Sequence, residues 1–232
     1  MKKENGFTLV ETIIALFIAS FMMIAIYVAI NMAQNSTSKI ERRVVSQQDA
    51  RSALELMAME IRMASYNPTL NNNIWVNPSL CAGLSGNQNY RGIQAVGANS
   101  ISVEMDMDAS STIGNQANEI ITYNYDYINQ YITRTTNCGG AQPFLGASST
   151  SSTTSDTKTV RVLNYSAGLP VFRYFDGNNV EIGTSQLPSR IPDIRRIEIR
   201  LAVDSYIADP DGKRQKIIYS TSVIPRNHIF VY

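Results

Sequence analysis

One apolar run near the N-terminus constrains this chain more than any other feature of its sequence. Only Ser20 and Tyr27 interrupt the run between Ile13 and Ile30, and the wider apolar segment 7–33 has 27 residues. A helix that spans a membrane needs roughly 20 residues. The rest of the 232-residue chain is polar and rich in Asn, Ser and Thr. The sequence therefore predicts one membrane-length helix followed by one folded head.

The six residues before the apolar segment, MKKENG, form a short polar leader, residues 1–6. Lys2 and Lys3 favour a cytoplasmic position for this end of the chain. An ordinary secretory signal has a small-residue cleavage site after its apolar run, where this sequence offers only weak sites. Gly6 is the small residue at the change of composition and lies before the run. Cleavage after Gly6 would leave the apolar segment on the mature protein.

Glu11 is an acidic residue close to the start of the apolar segment. A carboxylate costs about 2.5–3.5 kcal/mol at the centre of a bilayer, and less near the end of a spanning helix. Two interpretations of Glu11 follow from the residues alone. It is an interfacial residue favoured by the positive end of the helix, or it has a specific role in the apolar segment.

The run GFTLVE from Gly6 to Glu11, followed by the apolar segment, resembles the N-terminal signal of type IV prepilins. That family has a small charged leader, a Gly, an N-terminal Phe and a Glu at the fifth mature position. The resemblance implies that a prepilin peptidase cuts after Gly6 and N-methylates Phe7. It also implies that Glu11 neutralises the N-terminal amine of a neighbouring subunit, because a buried carboxylate and a buried ammonium are each costly alone.

Two further segments resemble particular branches of this family. Residues 50–64 (ARSALELMAMEIRMA) are similar to the end of the helix in minor pilins of the W type and in J-type pseudopilins of type II secretion. Residues 218–227 (IYSTSVIPRN) are similar to the last strand of W-type minor pilins. The resemblance implies a structural minor pilin that helps to initiate or cap type IV pilus assembly. A J-type pseudopilin is the nearest alternative, and a signal-anchored periplasmic binding protein or enzyme is a more distant one.

The partners and location of the chain follow from the same resemblance. The implied partners are other minor and major pilins, the prepilin peptidase and an inner-membrane assembly platform. Before assembly the chain would cross the bacterial inner membrane once, with its head in the periplasm. After assembly it would lie in the pilus at the cell surface. No small-molecule substrate and no cofactor are expected.

The chain has no Pro or Gly between Gly6 and Pro68, which predicts a single helix that ends at Asn67. At 1.5 Å per residue such a helix is about 90 Å long. Its second half, residues 34–67, is amphipathic. The apolar positions of this half recur at steps of three and four and are Ala50, Leu54, Met57, Ile61 and Ala64. We expect that face to pack on the head, residues 68–232.

The head reads as mostly antiparallel strands separated by turn signals. Strands are predicted at 100–107, 119–125, 130–135, 159–163, 171–175, 194–203 and 216–224. The second and third of these form a predicted hairpin. Residues 69–92 are predicted to form a long loop, and the low-complexity run 146–157 another. With the N-terminal helix, these elements predict an α+β fold, a long hydrophobic helix packed on an antiparallel sheet.

No residue pattern indicates catalysis or a metal site. His228 is the one histidine, and no nucleophile motif accompanies it. Zinc usually takes four ligands in close pairs, whereas Cys81 and Cys138 lie far apart in the sequence. The Asp209 and Asp211 carboxylates raise the question of calcium, but the run DPDG is a good turn without a metal. We therefore expect no catalytic residue and no metal.

Cys81 and Cys138 are instead a candidate disulfide pair. A head outside the cytoplasm lies where disulfides persist, and both residues fall in segments predicted as loops. Closing a loop of this length would stabilise the head by about 4 kcal/mol in the chain-entropy model.

The charge of the chain argues against nucleic acid as a partner. The 20 Lys and Arg nearly balance the 19 Asp and Glu, which gives a net charge of +1. The arginines at 190, 195, 196 and 200 are close together in the sequence, but Asp193 and Glu198 lie among them, so we expect a solvated strand face. The tyrosines at 123, 125, 127 and 131 are expected to pack across the predicted hairpin.

Overall fold

The computed structural model describes residues 8–79, 86–146, 160–205 and 216–229. Helix α1 runs from Leu9 to Arg62, a length of 54 residues or about 81 Å. Two antiparallel sheets pack against its C-terminal half. The protein is thus an α+β, pilin-like structure of one long N-terminal helix and a β-rich head, as the sequence predicts.

The buried face of α1 is the one that the apolar periodicity predicts. Ala50, Met57 and Ile61 are fully buried, and Leu54 is nearly so. These side chains join residues from both sheets in one continuous core. A helix with one apolar stripe gains most of its stability from such packing rather than from propensity.

The helix ends five residues before the predicted end at Asn67. Met63 caps it, and Ser65 then adopts a left-handed backbone conformation with φ of 66°. The Ser65 N–H donates to the Glu104 carbonyl of the neighbouring sheet at 2.9 Å. This N–H is therefore not available for a hydrogen bond within the helix, and the helix ends before Pro68. The proline signal therefore gives an outer limit for the helix, while a tertiary hydrogen bond sets its actual end.

The first sheet has five strands in sequence order. Its strands are β1 Ile93–Val96, β2 Ser100–Glu104, β3 Ile120–Asp126, β4 Tyr131–Thr136 and β5 Gln142–Leu145. Every neighbouring pair is antiparallel. Strands β3 and β4 form the predicted hairpin.

The second sheet is built around its longest strand. Its strands are β6 Val160–Val162, β7 Phe172–Phe175, β8 Glu181–Ile182, β9 Arg196–Ser205 and β10 Ile217–Val223. The order is β10-β9-β7-β8, and β6 also pairs with β9. Along β9, Ile197, Ile199 and Leu201 are fully buried, as their alternation predicts. The described part of the head also contains a short helix α2, Leu187–Arg190, and three 3-10 turns, Gln88–Tyr90, Ile191–Asp193 and Arg226–Ile229.

Several strands differ from their predicted positions. The strand predicted at 100–107 stops at Glu104, because the Asp106 N–H donates to the Tyr66 carbonyl at 2.8 Å, and Met107 is exposed. Strands β1, β5 and β8 have no counterpart in the prediction. Strands β6 and β7 both pair with β9 and not with each other. The predicted loop 146–157 lies almost wholly outside the described residues.

Of the hairpin tyrosines, Tyr123 and Tyr125 lie opposite residues of the partner strand, as predicted, whereas Tyr127 does not. Tyr123 and Tyr125 are buried in the core, where they lie opposite Arg134 and Ile132 of β4. Tyr127 is half exposed, and its ring stacks on Tyr165 with the centroids 4.9 Å apart. Because alternate residues of a strand point to opposite faces, the odd-numbered tyrosines of β3 share the core face.

Candidate functional site

The N-terminal end of α1 is closed by reciprocal hydrogen bonds between Thr8 and Glu11. The Glu11 N–H donates to Thr8 Oγ1 at 3.3 Å, while the Thr8 N–H donates to Glu11 Oε2 at 3.0 Å. This is a capping box, which satisfies two of the donors that a helix start leaves unpaired. The Thr8 hydroxyl adds a third bond to Glu11 Oε2 at 2.9 Å. The Glu11 carboxylate is therefore held at the first turn of the helix.

The apolar half of α1 contacts nothing else in the described head. Its large side chains are all exposed, and Phe17 and Phe21 expose about two thirds of their surface. Ser20 Oγ donates to the Leu16 carbonyl at 2.8 Å, so this polar group is satisfied within the helix. Among the described residues, α1 is the one helix long and apolar enough to cross a membrane, judged by length and composition. A lipid or protein environment outside the monomer must cover this surface.

A buried polar network holds α1 against the first sheet. Glu60 on the helix accepts from Arg134 of β4, with Oε1–Nη2 at 2.6 Å and Oε2–Nε at 3.2 Å. The Tyr123 hydroxyl donates to the same carboxylate, and its burial together with Glu60 raises the pKa of Tyr123. Such a bidentate pair specifies orientation as well as energy, so the network sets the rotation of the helix on the sheet.

The second sheet holds the helix mainly by apolar contact, with one aromatic addition. The Arg51 guanidinium lies over the Tyr219 ring of β10, 5.6 Å from its centroid. Arg161 of β6 and Asp204 of β9 form a further bidentate pair at 2.9 and 2.6 Å within this sheet. Both sheets therefore hold the C-terminal half of the helix, and its apolar half projects from the head.

His228 connects the C-terminal segment to the end of α1. Its Nε2 lies 2.9 Å from the Ile191 carbonyl, which can only accept, so Nε2 carries the proton. Its Nδ1 consequently accepts from Ser65 Oγ at 2.9 Å. Ser65 Oγ also accepts from the Gly92 N–H at 3.1 Å. The histidine is fully buried and serves as a structural link between three parts of the head.

Stability of the head should fall in acid through His228. Burial lowers the pKa of His228 from 6.5 to about 4, so the unfolded chain binds this proton at higher pH than the folded chain. The contribution is complete above pH 6.5 and is lost as the pH falls from 6.5 to 4, by about 3 kcal/mol. Urea unfolding of wild type and His228→Gln at several pH values measures it. Equal pH slopes in the two proteins would contradict this account.

The family comparison bears on the N-terminal helix. Residues 1–27 match the model of the prokaryotic N-terminal methylation motif. This N-terminal motif is the one that type IV pilins and pseudopilins share. The motif implies processing by a prepilin peptidase, anchoring in the inner membrane before assembly, and assembly with other pilins. No curated protein and no solved structure matches the chain.

The predicted processing residues lie at the edge of what the structure describes. Gly6 and Phe7 fall outside the described residues, and Thr8 is the first residue within them. Glu11 lies in the first helical turn, where the pilin resemblance requires a carboxylate. The capping box was not predicted, although the pattern Thr-x-x-Glu in the printed sequence is its ordinary signature.

Cys138 of the head is disulfide-bonded. The sequence holds two cysteines, and Cys81 lies outside the described residues. Cys138 Sγ is 3.0 Å from the carbonyl oxygen of Pro78, three positions before Cys81 in the sequence. The pairing of Cys81 with Cys138 stays a prediction, and this proximity supports it.

Three acidic side chains of the head form a cluster that the sequence did not predict. The carboxylates of Asp106, Asp108 and Glu119 lie within 4.8 Å of one another. Backbone N–H groups occupy much of their hydrogen-bonding capacity, since Asp106 accepts from Ser110 and Ser111 at 3.1 and 3.0 Å. These hydrogen bonds explain why the carboxylates lie together, because they hold the backbone of a loop in place. The predicted turn with Asp209 and Asp211 lies outside the described residues.

The arginines at 190, 195, 196 and 200 do not form an open basic surface. Arg190 bridges Asp176 and Asp193 at 3.1 and 3.0 Å. Arg196 lies over the Phe175 ring, 3.6 Å from its centroid. Arg195 donates to two backbone carbonyls. Because the guanidinium groups of Arg190, Arg195 and Arg196 are engaged within the head, these three side chains offer little to a nucleic acid backbone.

Proposed function

We propose that this chain is a minor pilin that joins other minor pilins in a complex that primes type IV pilus assembly. The observation that carries the proposal is the fully exposed apolar half of α1 beneath a rigid head, in a chain whose first 27 residues match the methylation motif. An exposed apolar helix of this length is stable in a bilayer, and it is equally suited to packing against identical helices in a filament core.

Processing after Gly6 is the first requirement of this function. Cleavage there removes the charged leader and places a new amine on Phe7, beside the Thr8 N–H that Glu11 already binds. Since Phe7 directly precedes Thr8 in the sequence, we expect the carboxylate to be close to the chain end that processing creates. Within a filament it is placed to neutralise such an amine, from its own chain or from a neighbour.

Gly6→Val should abolish processing, because a branched side chain replaces the small residue at the cleavage position. Intact-mass analysis of membrane-extracted wild type should give a chain that begins at Phe7 and carries one added methyl group. Gly6→Val should retain Met1 and stay in the inner membrane, whereas the control Asn5→Val should be cut. A wild-type chain that retains Met1, or that begins after residue 30, would refute the proposal.

A J-type pseudopilin of type II secretion is the second candidate, because residues 50–64 resemble both groups. In the structure, residues 50–62 form the C-terminal end of α1 and carry much of its buried face. The two candidates share the same anchoring and pairing chemistry and differ in the machine. Deletion of the gene separates them, since loss of surface pili with normal secretion indicates a minor pilin and the reverse indicates a pseudopilin.

A further inference from the structure

We propose that a cleft in the head binds a neutral, hydroxyl-rich ligand, a glycan. The cleft has a volume of about 830 Å³, within the range of ordinary ligand sites. One wall is the loop from Asn71 to Trp75, the second is the 3-10 turn Gln88–Tyr90, and Ser189 with Pro192 forms the third. This inference is independent of the machine in which the chain works.

The chemistry of the lining is the first argument for a neutral ligand. Of the eleven lining residues within the described part of the chain, six carry side-chain amides and none carries a carboxylate. A side-chain amide offers donors and an acceptor together, which matches a hydroxyl group that also donates and accepts. Arg91 is the one charged residue among the described lining residues, and its Nη1 already donates to the His228 carbonyl. The described lining thus lacks the concentrated charge that an anionic or cationic ligand requires.

Several of these amides are available. Asn72, Asn73 and Asn89 are exposed on facing walls, and within the described residues their side chains make no hydrogen bond. Gln88, by contrast, is fixed. Its side chain accepts from the Trp75 N–H at 3.1 Å and donates to the Trp75 carbonyl at 2.7 Å. The floor of the cleft is therefore rigid, and the polar groups around it are open to a ligand.

Trp75 supplies the second, independent argument. It lines the cleft yet is only 4% exposed, and it packs against Ile113 and Ile120 in a small apolar cluster. A buried Trp usually has a partner for its indole N–H. Among the described residues, the Trp75 Nε1–H has none. A donor without a partner among the described residues, on a Trp in the wall of an amide-lined cleft, indicates a place for an oxygen atom of a ligand.

The position of the cleft suits contact with a ligand outside the filament. The loop from Asn71 to Trp75 follows the C-terminal end of α1, about 81 Å of helix away from the membrane-embedded start. Asn67 Nδ2 donates to the Asn71 carbonyl at 2.9 Å and holds the loop there. The apolar half of α1 can therefore be packed in a membrane or a filament core while the cleft stays accessible.

Trp75 also makes the proposal measurable, because it is the single Trp of the chain. The full-length mature protein is placed in lipid nanodiscs, since maltoside detergents carry neutral sugars that would compete. Its fluorescence is then titrated with neutral oligomers of glucose, mannose, galactose and N-acetylglucosamine, and with sulfated counterparts. We expect a saturable change in Trp75 emission with at least one neutral series and a weaker response to its sulfated counterpart.

Two isosteric variants test the assignment to the cleft. Asn72→Asp and Asn89→Asp keep the side-chain shape but replace an amide by a charge, and each should weaken binding at least tenfold without changing thermal unfolding. Gln48→Glu makes the matched change on an exposed face of α1 and should bind as wild type does. The proposal fails if no neutral series changes the emission, if both cleft variants bind normally, or if the sulfated sugars bind more tightly. An emission change caused only by purified pilins would assign the cleft to a protein interface instead.

Discussion

Replacing Glu104 by Gln should stabilise the folded head by about 4 kcal/mol at pH 7.5. Glu104 ends β2 and is fully buried. Its Oε2 accepts from the Val76 N–H at 3.1 Å, while Oε1 has no hydrogen-bond partner. Burial raises the pKa of Glu104 from 4.5 to about 8, so the folded head keeps this carboxyl protonated. The unfolded chain ionises it near pH 4.5, and the resulting gain for the unfolded state is about 4 kcal/mol at pH 7.5.

The direction of the Glu104 pKa shift determines the pH range over which the stability of the head changes. The raised pKa of Glu104 means that the folded state binds a proton that the unfolded state has released. Its contribution is fully favourable below pH 4.5 and is lost as the pH rises through 8. Glu104→Gln cannot ionise, so its advantage should vanish near pH 4.5 and grow with pH. The His228 titration has the opposite sign, but it is common to both proteins and cancels in their difference.

Glu119 provides a matched control for Glu104. It is also fully buried, but its carboxylate accepts from the N–H groups of Met107, Gly114 and Gln116 at 2.9 to 3.1 Å. Glu119→Gln replaces a carboxylate, which accepts at both oxygens, by an amide, which has one acceptor oxygen. At least one of these N–H groups then loses its acceptor, so the change should destabilise the head by about 1–3 kcal/mol. Urea unfolding in nanodiscs at pH 4.5, 6 and 7.5 gives both differences. If Glu104→Gln is no more stable than wild type at pH 7.5, the conclusion that Glu104 is protonated in the folded head is wrong.

The sequence predicts those parts of the fold that depend on local periodicity. The buried stripe of α1 and the alternation of β9 were both predicted, because each has a strong pattern over many residues. Strand β8 was missed, since two residues, Glu181 and Ile182, are too few to show a period. Pairing is also non-local. Strands β6 and β7 join through β9, which follows both in the chain, so no feature of either strand reveals its partner.

The residues of the candidate site also differ in how far the sequence reveals them. The Gly6, Phe7 and Glu11 pattern is continuous in sequence and could be recognised there, and so could the Thr8 cap had the spacing to Glu11 been considered. Glu60 and Arg134 come from distant segments, and nothing near either residue marks them as a pair. The cleft around Trp75 depends on three segments that only the folded head brings together.

Glu11→Ala should leave protein level, membrane insertion and cleavage after Gly6 intact, and yet prevent efficient incorporation beside other pilins. Removing a carboxylate from an apolar segment makes insertion easier. In a filament, by contrast, the amine of a mature Phe7 enters a core of packed helices. Without a carboxylate that amine is buried and unpaired, at a cost of about 3–5 kcal/mol. The measurement is the amount of this chain in sheared filaments, or co-purified with partner pilins, relative to its membrane pool.

The capping box makes a second variant necessary, because Glu11→Ala removes a helix cap together with a charge. Glu11→Gln separates the two, since an amide oxygen can still accept from the Thr8 N–H but cannot neutralise an amine. If charge pairing is the role of Glu11, Glu11→Gln should be as defective as Glu11→Ala, and Glu11→Asp should be milder because it keeps the charge on a shorter side chain. Thr8→Ala, which removes the cap and keeps the charge, should then assemble nearly as wild type does.

The opposite pattern, with normal Glu11→Gln and defective Thr8→Ala, would show that Glu11 acts by capping the start of the helix. Normal assembly of Glu11→Ala would exclude both roles for this subunit.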